Sequence, residues 1–352
     1  MGDRVGSPAK KIFLVLSCIS VVIGACGGPL ITRLYFLHGG GRVWLIGWLH
    51  TGGWPVIFIP LIAAYFHRRS TTQPGSDTKL VLIKLPTLLA AMCVGVIIGV
   101  SNYFYCFGIG HLPVSTSSLI LASQLIFTSF AAFIIVKQKF DVYTVNAVVL
   151  LSIGSAVLAM HAGGNDRPKG ESNRMYILGF IFTFVSAAVS GAIFPLIELT
   201  YMKAKQAITY ALVMEIQIAF CISASLVNII GMIVNHDFQA ISHEARKYQL
   251  GETNYYVVLV CIAIVWQFFT LGITGIIFCS SSLVSGIIIT FLLPVTEVLA
   301  VICYHEKFQA EKAVALVLSL WGFASHIYGE FKRNKKKKKQ MDDTDISADA
   351  LP

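Results

Sequence analysis

The run FLVLSCISVVIGACGGPLIT, from Phe13 to Thr32, holds twenty residues without a charge. Such a run matches the roughly 30 Å of hydrocarbon that a helix must cross in a bilayer. Water is absent there, so every backbone N–H and C=O has to be paired within the chain, and continuous apolar runs can cross only as helices. Comparable runs recur along all 352 residues, and only 13% of the residues are charged, against roughly a quarter in a soluble domain. The first run is too long for a cleavable signal and flows into a second one.

The expected fold is therefore an all-α membrane protein. Ten transmembrane helices are expected over about 12–37, 43–66, 86–109, 114–136, 142–161, 176–200, 208–234, 254–278, 282–304 and 311–329. The intervening loops are short; the longest are 67–85, 162–175 and 235–253, and none can form a domain. With the N-terminus inside, the cytoplasmic segments hold 17 Lys and Arg residues and the outer loops 8. Both termini are therefore expected to be cytoplasmic.

A shift of 168 residues lays Ser117–Met160 over Ser285–Tyr328 with 13 of 44 pairs identical, among them Lys139-Phe140 over Lys307-Phe308 and Thr128 over Thr296. Pro29–Tyr35 (PLITRLY) likewise lies over Pro195–Tyr201 (PLIELTY). Five spans per half is an odd number, so the halves run oppositely through the membrane. This is the inverted-repeat plan of secondary transporters, whose sites lie near the midplane. The expected organisation is a cytoplasmic N-terminus (1–11), a first five-helix repeat (12–161), an extracytoplasmic linker (162–175), a second five-helix repeat (176–329) and a disordered cytoplasmic tail (330–352). GACGGP (Gly24–Pro29) in span one and GAIFP (Gly191–Pro195) in span six read as interrupted helices, which point to a binding site. Small residues that let helices pack closely, as GVIIG (Gly95–Gly99) does, are the alternative.

The net charge is +9, and Lys332, Arg333 and Lys335 to Lys339 concentrate it directly after the last span. There it reads as an anchor on acidic lipid rather than a contact to nucleic acid. The acidic residues that follow make the end of the tail polar and disordered. All eight cysteines fall in apolar runs without CxxC spacing, so they read as small buried residues and not as disulfides or metal ligands. Neither a phosphate-binding loop nor a hydrolase or metalloprotease motif is present, so no cofactor is expected and any pumping must use an ion gradient.

Polar groups at depth carry the functional reading. Of the eighteen acidic residues, Glu198, Glu215 and Glu297 fall within spans. A carboxylate in hydrocarbon is expensive and marks an ion or proton pathway. These three are the proton-coupling candidates, with Glu297, after Pro294, first among them. The alternative is a buried pair, for example of Glu198 with Arg33. The amides Asn102, Gln124, Gln217, Asn228 and Gln267 each offer a donor and an acceptor in one plane. Adenine presents the matching pair on one edge. Interhelical bonding, worth about 1 kcal/mol, is the ordinary use of such amides. Trp266 lies mid-span, away from the interfacial aromatic belts, where it can either pack or stack on a flat heterocycle. His50 and His326 read as core histidines.

The segments GGGRVWLIGWLHTGGWP (Gly39–Pro55), LPVSTSSLILASQLIFTSFAAFIIVKQKF (Leu112–Phe140), GNDRPKGES (Gly164–Ser172), SSSLVSGIIITFLLPVTEVLAV (Ser280–Val301) and LSLWGFASHIYGE (Leu318–Glu330) resemble those of the plant purine permeases of the drug/metabolite transporter superfamily. The resemblance runs from about residue 12 to residue 332. It implies ten helices in two inverted repeats. It also implies proton-coupled import of adenine, related purines and cytokinins such as zeatin across the plasma membrane, or of alkaloids in some members. At the matching positions Asn102, Gln124, Gln217, Trp266 and Glu297 are the residues to carry this role. His50 departs from the pattern, since many members have glutamine there. A membrane-embedded receptor and a membrane enzyme are the readings from other classes.

Overall fold

The computed structural model describes residues 8–71, 82–138, 140–161, 172–204, 206, 208–304, 313–314, 317–318, 320–329 and 332. Among them there is no strand. The helices are α1 (Pro8–Leu37), α2 (Val43–Gly52), α3 (Phe58–Thr71), α4 (Leu85–His111), α5 (Val114–Ala122), α6 (Gln124–Ile135), α7 (Val142–His161), α8 (Asn173–Lys203), α9 (Tyr210–Val234), α10 (Asp237–Lys247), α11 (Glu252–Cys279) and α12 (Ser282–Tyr304). A 3-10 turn, Trp54–Ile57, joins α2 to α3.

Eight stretches are long and apolar enough to cross a membrane: Lys10–Leu37, Val43–Ala63, Leu85–His111, Thr116–Ile135, Asn173–Lys203, Tyr210–Val234, Glu252–Cys279 and Ser282–Tyr304. They match eight of the ten expected spans. The fifth, 142–161, is helix α7, whose described apolar part, Val142–Gly154, is shorter. Of the tenth, 311–329, residues 313–314, 317–318 and 320–329 are described, and all of them are helical. Of the linker 162–175, residues 162–171 lie outside the described residues and 173–175 begin α8; of the tail, residue 332 alone is described. Outward faces are apolar, with Ile59, Phe130, Val142 and Ile230 exposed, as lipid requires and water would not favour.

Helix starts follow local chemistry. The Ser172 hydroxyl accepts from the Met175 N–H at 3.2 Å ahead of α8, and the Thr209 hydroxyl accepts from the Leu212 N–H at 3.3 Å ahead of α9, each satisfying a donor that the first helical turn leaves open. The breaks are not where glycine and proline suggest. GACGGP and GAIFP are helical throughout, with Pro29 inside α1 and Pro195 inside α8. Span two breaks at Gly53 and span four at Ser123 instead.

The most extensive helix pairings are α1 with α11 and α4 with α8, followed by α4 with α9 and α6 with α8. Glycine makes these approaches possible. A Cβ on Gly99 would sit 2.8 Å from the Ala224 carbonyl of α9, and one on Gly272 of α11 would sit 2.7 Å from the Ser17 carbonyl of α1. Side-chain contact across such interfaces is what holds helices together in lipid.

The 235–253 connection, read as a loop, folds into α10 and straps one end of the bundle. Glu244 of α10 accepts from the Tyr35 and Tyr255 hydroxyls and from the Gly41 N–H, and Arg42 pairs with it at 3.3 Å. The Arg42 guanidinium also reaches Asp237 at 3.4 Å, and the Asn235 amide donates to the same carboxylate oxygen at 2.8 Å. Burial and the neighbouring Glu244 carboxylate push the Tyr248 phenol up from its ordinary value. This network ties the α1–α2 connection to α10 and to the start of α11.

Candidate functional site

All eight of these spans contribute to one internal cavity of about 150 Å³. Pockets for drug-sized ligands measure about 300–1,000 Å³, so the space suits one small molecule. Ala25 and Pro29 (α1), His50 and Thr51 (α2), Ile98, Ser101, Asn102 and Tyr105 (α4), and Leu121 and Gln124 (α5 and α6) line it from the first half. Ser186, Ser190 and Phe194 (α8), Gln217 and Phe220 (α9), Trp266, Phe269 and Thr270 (α11), and Ile289 and Leu293 (α12) are among those lining it from the second.

One region is aromatic. Trp266 lies near the middle of α11, and its indole N–H donates to the Thr32 hydroxyl at 3.1 Å. His50 stacks on it with ring centroids 3.9 Å apart and planes 20° apart, while Tyr105 and Phe269 meet it edge-on at 5.5 and 5.2 Å. Among the described residues the His50 nitrogens reach only the Cys106 thiol, at 3.5 and 3.8 Å.

A second region is polar. Ser101, one turn before Tyr105 on α4, lies 2.9 Å from the Ser190 hydroxyl and 3.2 Å from that of Ser186, and the Ser186 hydroxyl donates to the Ser101 carbonyl at 3.1 Å. Among the described residues the buried Asn102 NH2 group has no hydrogen-bond partner, nor has the Gln217 carbonyl oxygen, and the Gln217 NH2 group has only the Cys221 sulfur, at 3.3 Å. The Gln124 side-chain amide makes no hydrogen bond to another described residue. Unpaired amide groups around a cavity cost free energy, and a hydrogen-bonding guest removes that cost.

The profile of a family described by purine nucleobase transmembrane transport matches residues 12–336. The chain belongs to the purine permease family. Purine permease 3 of Arabidopsis thaliana is 52% identical over 329 residues, spanning 94% of this chain and 93% of the relative. Purine permease 2 of the same plant is 46% identical over 349 residues, spanning 96% and 97%. A solved crystal structure superimposes with a TM-score of 0.60 at 14% identity, over 90% of this chain and 98% of that one, a likeness of fold alone. This purine permease is thus a multi-pass membrane transporter, not an enzyme, of a family that moves purine nucleobases.

Of the substrate residues expected from the purine permease sequence, Asn102, Gln124, Gln217 and Trp266 line the cavity and Gln267 does not. Gln267 is buried, with both amide atoms unpartnered among the described residues, and its Cβ packs near Gly53 at the break in span two. None of the three carboxylates lines the cavity. Glu198 accepts from the Ser282 N–H at 2.7 Å, at the first residue of α12. Glu215 accepts from the Leu82 and Ile83 N–H groups, both at 2.8 Å, just ahead of α4. Both sit at helix N-termini, where negative charge is favoured. Glu297 is 2% exposed on α12, in the stripe that continues Ile289 and Leu293, one turn beyond the cavity lining. His50, Tyr105 and the serines are members of the site that sequence reasoning did not assign. Ser186 and Ser190, four residues apart on one helical face, carried a signal.

Proposed function

We propose that the protein imports purine bases and N6-substituted purines such as cytokinins across the plasma membrane, by proton-coupled alternating access. The observation that carries this reading is the pair of unpartnered amide atoms of Asn102 and Gln217, gathered with Gln124 and Trp266 around one small cavity between the two halves of the chain. A purine offers a flat ring for Trp266 and donor–acceptor edges for the planar amides.

The two halves act as inverted repeats of five spans each, 12–161 and 176–329, with both termini in the cytoplasm. A five-span shift exchanges the α1–α11 pairing with α8–α4, and these are the two most extensive contacts in the fold, which supports the symmetry. Rocking of one half against the other exposes the central cavity to each side in turn. Glu297 is the proton carrier in this reading, because it is buried on the stripe that leads into the cavity. Glu198 and Glu215 are bound to helix N-termini and serve structure.

Uptake of radiolabelled adenine and zeatin into cells expressing the protein, with and without a protonophore, tests the reading. Saturable accumulation that collapses with the proton gradient is expected. Binding without accumulation overturns transport, and accumulation indifferent to the gradient overturns coupling.

A further inference from the structure

The stacking role given to Trp266 meets an obstacle in its own surroundings, because both faces of the indole are covered. A Cβ on Gly28 would lie 2.9 Å from Cε2 and 3.2 and 3.3 Å from the flanking Cζ2 and Nε1. Closest approach to Cε2, with its two neighbours slightly and almost equally farther, places Gly28 over the ring plane and not at its edge. Cε2 is a ring-fusion atom near the centre of the indole, so the α1 backbone lies over that face at the ring fusion and blocks a base from stacking squarely on it. The opposite face carries the His50 imidazole at 3.9 Å. The edges are held by Thr32, Tyr105 and Phe269.

The two covers differ in how firmly they are fixed. Gly28 is backbone inside the 30-residue helix α1. His50 stands two residues before the end of α2, where helical hydrogen bonding gives way to the Trp54–Ile57 turn. Among the described residues its ring nitrogens find only a thiol, a weak partner for a buried imidazole. Cys106, which supplies that thiol, is fully buried and does not line the cavity.

We propose that His50 is a placeholder for the substrate: its imidazole and the incoming base compete for one face of Trp266. This rests on the base-transport reading above. An imidazole is the five-membered half of a purine, flat and aromatic, with one donor and one acceptor nitrogen. The exchange replaces one stacked heteroaromatic ring by a larger one and leaves the indole covered throughout. Because every ligand that stacks on Trp266 must first displace the same ring, His50 lowers all their affinities by one common factor, the population of the state with His50 swung away. It is thus a positioning residue that sets the affinity threshold of the site and does not read the identity of the base.

Equilibrium binding of tritiated adenine and zeatin to the purified full chain in lipid nanodiscs tests this. His50→Ala is expected to tighten both ligands by the same factor, roughly two- to tenfold, the equivalent of one aromatic pair. Millimolar free imidazole should compete with adenine in that variant and not in the wild type. Cys106→Ala, which touches no ligand and keeps the His50 ring, is expected to tighten both ligands by a smaller common factor. Weaker adenine binding in His50→Ala with wild-type binding intact marks a direct contact to the base and overturns the placeholder; so does an unchanged or weakened affinity in Cys106→Ala. No saturable adenine binding by the wild type overturns the transport reading, and this inference with it.

Discussion

The Thr296 hydroxyl of α12 lies 3.2 Å from the Ala25 carbonyl of α1 and donates to it across the helix interface, sharing its hydrogen with the Leu292 carbonyl at 3.0 Å. Ala25 is the residue whose carbonyl Pro29, four positions on, cannot pair, because proline has no N–H. The orphaned acceptor is buried beside the cavity, and Thr296 supplies the missing donor.

Thr296→Val keeps the shape and removes the donor. A buried acceptor left without a partner costs about 1–3 kcal/mol, and the thermal midpoint in detergent should fall accordingly. Thr296→Ser should restore most of it. Equal midpoints for Val and Ser would show that the hydroxyl contributes nothing to holding α1 on α12.

The Arg42 network makes a second prediction. Arg42 pairs with Glu244 and Asp237, whose side chains are 10% and 0% exposed, while its own is 33% exposed. Breaking a fully buried pair costs about 3–5 kcal/mol; with the guanidinium partly in water, about 2 kcal/mol is expected for Arg42→Ala. Hydrogen exchange should rise in α10 and at the start of α11 before it rises at Trp266. Uniform exchange across α11 would mean that α10 is not a separate strap.

Much of the fold could be read from the chain because an uninterrupted apolar run of twenty residues leaves the backbone one way to cross lipid. Helix interruption was harder to read. Glycine and proline pointed to Gly24–Pro29 and Gly191–Pro195, yet α1 runs through Pro29 because Thr296, 267 positions away in sequence from it, satisfies the Ala25 carbonyl. No local pattern holds that information. The amides and Trp266 stood out because polar and mid-span aromatic groups are rare at depth. The serines did not, since a hydroxyl in a helix ordinarily bonds its own turn, as Thr128 does with the Gln124 carbonyl and Thr183 with that of Gly179. Which hydroxyls reach across helices is a tertiary fact. The carboxylates were visible by their scarcity, but that Glu198 and Glu215 meet the starts of other helices depends on packing.

Gln217 separates a binding residue from a packing residue by opposite signs on two measurements. Its carbonyl oxygen is buried and unpartnered, and its NH2 group has only a sulfur. Gln217→Leu removes those unsatisfied atoms at similar volume, so the protein should be more stable by about 1 kcal/mol. Adenine affinity should fall roughly tenfold, since one bond to the base is lost. Lower stability with unchanged affinity would make Gln217 a structural residue.

The carboxylates provide the test of coupling. Glu297→Gln preserves shape and hydrogen-bonding capacity but cannot carry a proton. Glu215→Gln does the same to a group that accepts two N–H bonds ahead of α4. In the first variant, uphill accumulation of adenine should disappear while exchange of labelled for unlabelled adenine continues, because exchange needs only the substrate-bound carrier to reorient. In the second, accumulation should persist and the thermal midpoint should fall by the equivalent of about 1–2 kcal/mol, a neutral acceptor replacing a charged one. The pair is informative because both glutamates are buried, so burial alone predicts the same outcome for each. If Glu215→Gln abolishes accumulation and Glu297→Gln does not, the proton path runs past the start of α4 and not along α12 into the cavity.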